Sequence, residues 1–168
     1  MRIKFDAQLR LLGEEMTHMG SMIESAIQDA THAFLNQDVE TAKRIMAEDE
    51  YIDQEQKKIE NICFQLLIQQ QPVARDLRTI TAAMKMVTDM ERIGDHAADI
   101  SELTVAMAGT PYKLRGDNIK RMAAETIVML VNAVDSYVTK DMAKAREWFQ
   151  KAADQDDVQA KSILKKLQ

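Results

Sequence analysis

Between Ile3 and Phe34 the apolar side chains return every three or four residues, at Leu9, Leu12, Met16, Met19, Ile23, Ala26, Ile27 and Ala30. That period lines them along one face of a helix, and thirty residues of it predict a single long amphipathic helix whose stripe must be buried against other helices. Asn36-Gln37-Asp38 breaks the pattern, and Asp38 suits the start of the next helix because its carboxylate accepts from free first-turn amides. A second periodic stretch carries Val39, Ile45, Met46, Ile52, Ile59, Ile62, Leu66 and Leu67 as far as Gln69-Gln70-Gln71. Pro72 has no amide hydrogen and disfavours helical geometry at Gln71, so the second helix stops there and a third opens, expected from about Val73 to Ala108.

Gly109-Thr110-Pro111 through Gly116-Asp117 reads as a boundary. A fourth helix is expected from Asp117 or Asn118 to about Val138, then a tight connection at Thr139-Lys140-Asp141 and a fifth helix to the C-terminus. The chain has only 5 Gly and 2 Pro in 168 residues, too few for the many turns of an all-β fold, and 46% apolar residues, too many for a disordered one. The expected fold is all-α: an antiparallel three-helix bundle, since short connections set successive helices side by side. A weak repeat at an offset of 103–106 relates Asn36-Gln37-Asp38-Val39 to Thr139-Lys140-Asp141-Met142 and Ala42-Lys43 to Ala145-Arg146. The expected organisation is therefore a first bundle over 1–108, a linker over 109–116, and an incomplete second copy of two helices over 117–168. That copy is expected to complete itself on another chain or to belong to a chain cut short.

Net charge −5 argues against a nucleic-acid face, which normally carries a basic stripe. Cys63 is the only cysteine, so no intrachain disulfide or cysteine zinc site forms, and its apolar neighbours predict a buried thiol. The N-terminal segment MRIKFDAQLR lacks an apolar leader core, and the longest apolar run, Ile127–Val131, falls far short of the ~18 residues of a membrane span. A soluble, cytoplasmic chain with no direct membrane insertion is expected.

No glycine-rich phosphate cradle, no nucleophile elbow and no Cys–His pair is present, so enzymatic readings start poorly. What recurs is an acid followed four residues later by Asp: Asp49 and Asp53, Glu91 and Asp95, Asp95 and Asp99. Such residues share a helix face, and two like charges there cost roughly 0.2–0.5 kcal/mol, which a bound cation would turn into chelation. Their number says nothing, because 27 acids in 168 residues give about four such pairs by chance. Their placement says more. Asp53 lies as far before Pro72 as Glu91 lies after it, so on antiparallel helices the two acidic pairs stand at one level. Gly94, between Glu91 and Asp95, costs helix stability by about 1 kcal/mol relative to Ala and suggests room for a ligand to approach the backbone.

Gln69-Gln70-Gln71-Pro72-Val73-Ala74-Arg75-Asp76-Leu77-Arg78, followed by Asp89-Met90-Glu91-Arg92-Ile93-Gly94-Asp95-His96-Ala97, resembles the PhoU family of phosphate-uptake regulators, over about residues 1–108. The resemblance implies tandem three-helix bundles, each carrying acid-x-x-x-Asp motifs on two helices that hold multinuclear iron or zinc clusters. Those motifs fall on Asp49, Asp53, Glu91 and Asp95. Asp99 stands where the family more often has an amide and is not carried over as a ligand. In the second copy the motif positions become Gln155 and Gln159, or Ala152 and Asp156, so no second site is expected.

The resemblance further implies a non-enzymatic, dimerising regulator that switches off the phosphate-starvation response. It would work by contact between the ATPase subunit of the phosphate ABC transporter and a sensor histidine kinase. Two rivals stand beside it: a metal-dependent enzyme at the carboxylate cluster, and a metal-free helical adaptor. Glu15-Met16-Thr17-His18 has the Glu-x-x-His spacing of di-iron bundles, but the second such pair that those sites need on another helix is missing. His96 points about 100° away from Asp95 and is expected to bond a carboxylate on a neighbouring helix. Arg75, Arg78 and Arg92 are expected to pair with helix acids or to meet an acidic partner surface. Trp148 and Phe149 are expected to pack inward or to form an interface.

Overall fold

The computed structural model describes residues 2–70, 72–110 and 116–141, together with Ala143, Arg146, Glu147, Gln150, Lys151, Asp154 and Lys165. Four helices follow one another: α1 (Arg2–Asn36), α2 (Val39–Gln70), α3 (Ala74–Ala106) and α4 (Gly116–Thr139), with no strand among the described residues. The expected fifth helix, with Trp148, Phe149, Gln155, Gln159, Ala152 and Asp156, lies largely outside the described residues, although those described beyond Met142 are helical.

α1, α2 and α3 form the bundle. On α3 the buried positions are Ile80, Ala83, Val87, Met90, Gly94, Ala97, Ser101 and Thr104, a strict alternation of three- and four-residue steps. That is the spacing of supercoiled helices packing knobs into holes. α2 contributes Ile45, Ile52, Ile59 and Leu66 at seven-residue intervals, and α1 contributes Leu12, Met16, Met19, Ile23 and Ala30. The end of α3 from Gly94 to Thr104 is lined by small residues, and its buried hydroxyls are satisfied within the helix: Ser101 donates to the Ala97 carbonyl at 2.8 Å and Thr104 to Ile100 at 2.9 Å. No buried polar group there needs a partner from another helix.

The corners follow local chemistry. Gln37 takes φ 56°, and the Asp38 amide reaches back to the Ala33 carbonyl at 2.9 Å, closing α1 with a left-handed residue. Asp38 then caps α2, its two oxygens accepting from the Thr41 amide at 3.1 Å and the Thr41 hydroxyl at 2.7 Å. The same corner recurs 103 residues on. Lys140 takes φ 58°, the Asp141 amide bonds the Ser136 carbonyl at 3.2 Å, and the Asp141 carboxylate accepts from Ala143 at 2.9 Å.

α4 lies on the flank of α1, and Leu130 and Val134 extend the core into it. The contact is reciprocal. A methyl placed on Gly13 of α1 would touch Val138 of α4 at 3.6 Å, and one on Gly116 of α4 would meet Leu35 of α1 at 2.8 Å. Gly116 is Gly13 advanced by 103, and Val138 is Leu35 advanced by the same amount. The two helices therefore cross about a local pseudo-twofold axis, each lending a glycine to the other's branched side chain. Tyr137 adds a polar tie, donating its hydroxyl to the Thr79 carbonyl of α3 at 3.2 Å.

Candidate metal centre

The acidic pairs sit where α2 and α3 run side by side. Asp53, Glu91 and Asp95 each offer a carboxylate oxygen, and these oxygens lie within 4.8 Å of one another on half-buried side chains. None of the three has an ion pair among the described residues; the nearby Arg92 leans instead toward Asp89 at 3.7 Å. With no two of the oxygens more than 4.8 Å apart, some point lies within about 2.8 Å of all three, and modest side-chain rotation brings that to the 2.0–2.6 Å of metal–oxygen bonds. The donor set is all oxygen and all anionic, which suits a hard or borderline divalent or trivalent cation.

Asp49 stands outside this trio. It lines a neighbouring groove of about 260 Å³ between α1 and α2, with Asp29, Glu48 and Tyr51. It is nonetheless coupled to the cluster: burial first, then the charges of Asp95, Asp53 and Asp99, hold its carboxyl above the ordinary range. Glu91 is raised likewise by burial and then by Asp95, Asp53 and Asp49, with Arg92 opposing. Both groups thus carry the cost of crowded negative charge, and a cation would relieve it.

Two readings of neighbouring residues change. Gly94 does not leave room for a ligand: a methyl there would meet Cδ1 and Cγ2 of Ile52, both at 3.1 Å, and Ile23 at 3.8 Å. The missing side chain lets α2 press against α3, and this sets the distance across which the carboxylates face each other. His96 does not reach a neighbouring helix; its Nδ1 is 3.4 Å from Asp99 one turn on, and both are exposed. Glu15, read from its spacing to His18, is engaged elsewhere. Lys58 bonds it and holds its carboxyl below the ordinary range, and the same ammonium approaches the buried Glu55 at 3.3 Å. Glu55 was not singled out from the sequence, although an acid between Ile52 and Ile59 on the buried stripe of α2 is a legible signal.

With that geometry in hand, comparison with known proteins identifies the chain's relatives. The model of the PhoU domain matches residues 16–104, more than half of the sequence. The chain belongs to the PhoU family. It is 37% identical over 155 residues to a phosphate-specific transport system accessory protein PhoU homolog of Clostridium acetobutylicum, covering 92% of this chain and 71% of that one. Its identity to the Escherichia coli accessory protein PhoU is 28%, over 84% of this chain and 59% of the relative. The chain spans about three fifths to seven tenths of the curated relatives it matches. Among solved structures, the phosphate transport system regulatory protein PhoU of Streptococcus pneumoniae superposes with TM-score 0.80 at 27% identity, over 95% of this chain and 74% of that one. PhoU of Pseudomonas aeruginosa gives TM-score 0.79 at 25% identity, over 89% and 73%. The all-helical fold expected from periodicity is that of these PhoU crystal structures.

Proposed function

We propose that this chain is a regulator of phosphate uptake and of the phosphate-starvation response, repressing both when phosphate is plentiful. The observation that carries the reading is family membership along nearly the whole chain, with relatives named as accessory proteins of the phosphate-specific transport system. Its partners are the ATPase subunit of the phosphate ABC transporter and a sensor histidine kinase, met in the cytoplasm by a homodimer. No helix among the described residues is long and apolar enough to cross a membrane.

The mode of action is contact. Asp49, Asp53, Glu91 and Asp95 hold iron or zinc, with Asp53, Glu91 and Asp95 nearest to a shared coordination point. A cation bound there supplies positive charge that ties α2 to α3. The chain's own residues do the rest: Ile52 seated on Gly94 fixes the spacing, and α1 carries the arrangement to α4. The organisation behind this is a complete bundle over 1–108, a linker over 109–116 and a partial second repeat over 117–168, which the matched corners at Asp38 and Asp141 support.

The test is a phosphate-starvation reporter in phosphate-replete cells lacking their own regulator. Expression of this chain should silence it, and the Asp53→Ala and Glu91→Ala variants should restore signal. A reporter that stays on while the protein is soluble and folded would refute the regulatory role. Metal analysis of purified protein separates the metal claim from it: a content near zero, unchanged in those variants, would remove the metal and leave a helical adaptor.

A further inference from the structure

The contact between Ile52 and Gly94 falls at the level of the carboxylates. Ile52 immediately precedes Asp53 on α2, and Gly94 immediately precedes Asp95 on α3. Both are buried. The next members of the buried stripe of α2, Ile45 and Ile59, lie seven residues to either side, about 10 Å along the helix. Beside the cluster, the separation of the two backbones is therefore set by one branched side chain resting on a bare Cα. That packing has no slack. A methyl on Gly94 would stand 3.1 Å from both Cδ1 and Cγ2 of Ile52, against the roughly 3.5–4.0 Å of carbons in ordinary contact. To regain ordinary contact with that methyl present, the two helices part by about 0.4–0.9 Å.

The three carboxylates feel such a change unequally. Asp53 and Asp95 each reach out on a single methylene, from opposite helices, so their oxygens follow the backbones, whereas Glu91 is one methylene longer and can lean to compensate. Cation size is read on the same scale. Carboxylate oxygens stand about 2.0–2.2 Å from zinc and 2.3–2.6 Å from calcium, so three oxygens around one ion lie about 0.6 Å further apart for calcium. The parting that one added methyl demands is as large as the difference between the two classes of cation. We infer that the Ile52–Gly94 contact is the gauge of this site: it holds Asp53 and Asp95 at the separation that favours a small borderline cation of the zinc or ferrous class over a large one such as calcium. Ile52 and Gly94 are positioning residues, acting through the aspartates that follow them. The inference rests on the metal reading proposed above and adds to it what decides the choice of ion.

Calorimetric titration of the metal-free full chain with zinc and, separately, with calcium tests this, the quantity followed being the ratio of the two affinities. Gly94→Ala should lower the zinc-to-calcium ratio by about tenfold, the lower end of what a lost supporting residue costs a metal site, with most of the loss in zinc. Ile52→Ala/Gly94→Ala, which takes volume from one side of the contact as it adds to the other, should recover most of the ratio. Gly20→Ala, whose methyl meets Val134 at an ordinary 3.5 Å in the α1–α4 contact, should leave it unchanged. Circular dichroism certifies folding. If Gly94→Ala does not fold, Ile52→Val, which removes Cδ1 alone and lets the helices draw together, should raise the ratio, and no rise would count against the gauge. A Gly94→Ala protein with the wild-type ratio, or with equal losses for both cations, would overturn the inference and leave the contact a purely structural one. Binding of neither cation by the wild type would remove the metal reading and this inference with it, a result distinct from an unmoved ratio.

Discussion

Replacing Asp53 by Asn should stabilise the metal-free protein and weaken the metal-loaded one. The three cluster oxygens lie within 4.8 Å of one another, and at that distance each pair of charges repels by about 0.9 kcal/mol in water and about 3.5 kcal/mol at the effective dielectric of a protein surface. Asp53 takes part in two of the three repulsions. The side chains are half-buried and free to rotate apart, so the lower limit applies, and the neutral variant should gain roughly 1–2 kcal/mol. For a chain of this size that raises the melting midpoint by about 2–8 °C in a chelator.

Saturating zinc or iron reverses the order. Ligand at a hundred times its dissociation constant stabilises the native state by about 2.7 kcal/mol, and the variant, lacking one of the three nearest ligands, gains less. The pH dependence has a definite sign. Asp49 and Glu91 titrate above their ordinary values in the fold, so between those values the native state holds more protons than the unfolded chain, and stability in chelator falls as pH rises through that window. With metal present the slope turns upward, because the ion competes with those protons. Circular dichroism melts at several pH values, with chelator and with metal, measure all of this. An Asp53→Asn protein less stable than wild type in chelator, with neither protein responding to metal, would refute the reasoning.

Gly94→Ala should destabilise by about 1–2 kcal/mol, the overpacking against Ile52 outweighing the gain in helix propensity. Gly20→Ala, whose new methyl would meet Val134 at an ordinary 3.5 Å, should be neutral or stabilising by up to about 1 kcal/mol; equal melting midpoints for the two variants would contradict the packing argument. Tyr137→Phe removes the hydroxyl bonded to Thr79 and should cost about 0.5–1.5 kcal/mol in urea unfolding. In the native protein one of the three tyrosines should also resist alkaline titration, since burial raises Tyr137 well above its ordinary range. Burial pushes the Cys63 thiol up to about 11, so a thiol reagent should label it at neutral pH only as fast as the bundle opens; prompt labelling of folded protein would place it at the surface.

The bundle was legible because its signals are local or periodic. The three- and four-residue rhythm from Leu9 through Ile23 to Ala30 identifies α1, Asp38 declares the start of α2, Pro72 closes it and opens α3, and equal distances from Pro72 bring Asp53 level with Glu91. What stayed hidden depends on side-chain shape across helices. Gly94 reads as an opening until the branched methyls of Ile52 are seen to fill it. The bond from Tyr137 to Thr79 joins residues 58 apart with no pattern between them. Asp49 belongs to the right face, yet a turn's displacement along α2 puts it beside the trio instead of within it. The lysine that occupies Glu15 comes from α2, forty-three residues away, and no spacing rule on α1 announces it.

The reciprocal crossing of α1 and α4 sets a timetable for synthesis. The first three helices have all been made once Ala106 has emerged, and they can close on one another. The flank of α1 that carries Gly13 and Gly20 stays bare until α4 is complete at Thr139, thirty-three residues later. At ordinary elongation speeds that interval lasts about 2–7 s, long compared with helix docking in a small bundle. During it the nascent chain presents a folded bundle with one flank of its earliest helix uncovered, shaped to receive a helix of the opposite direction. A neighbouring nascent chain on the same message carries that helix too, so α4 must find its own α1 before another copy's α4 arrives.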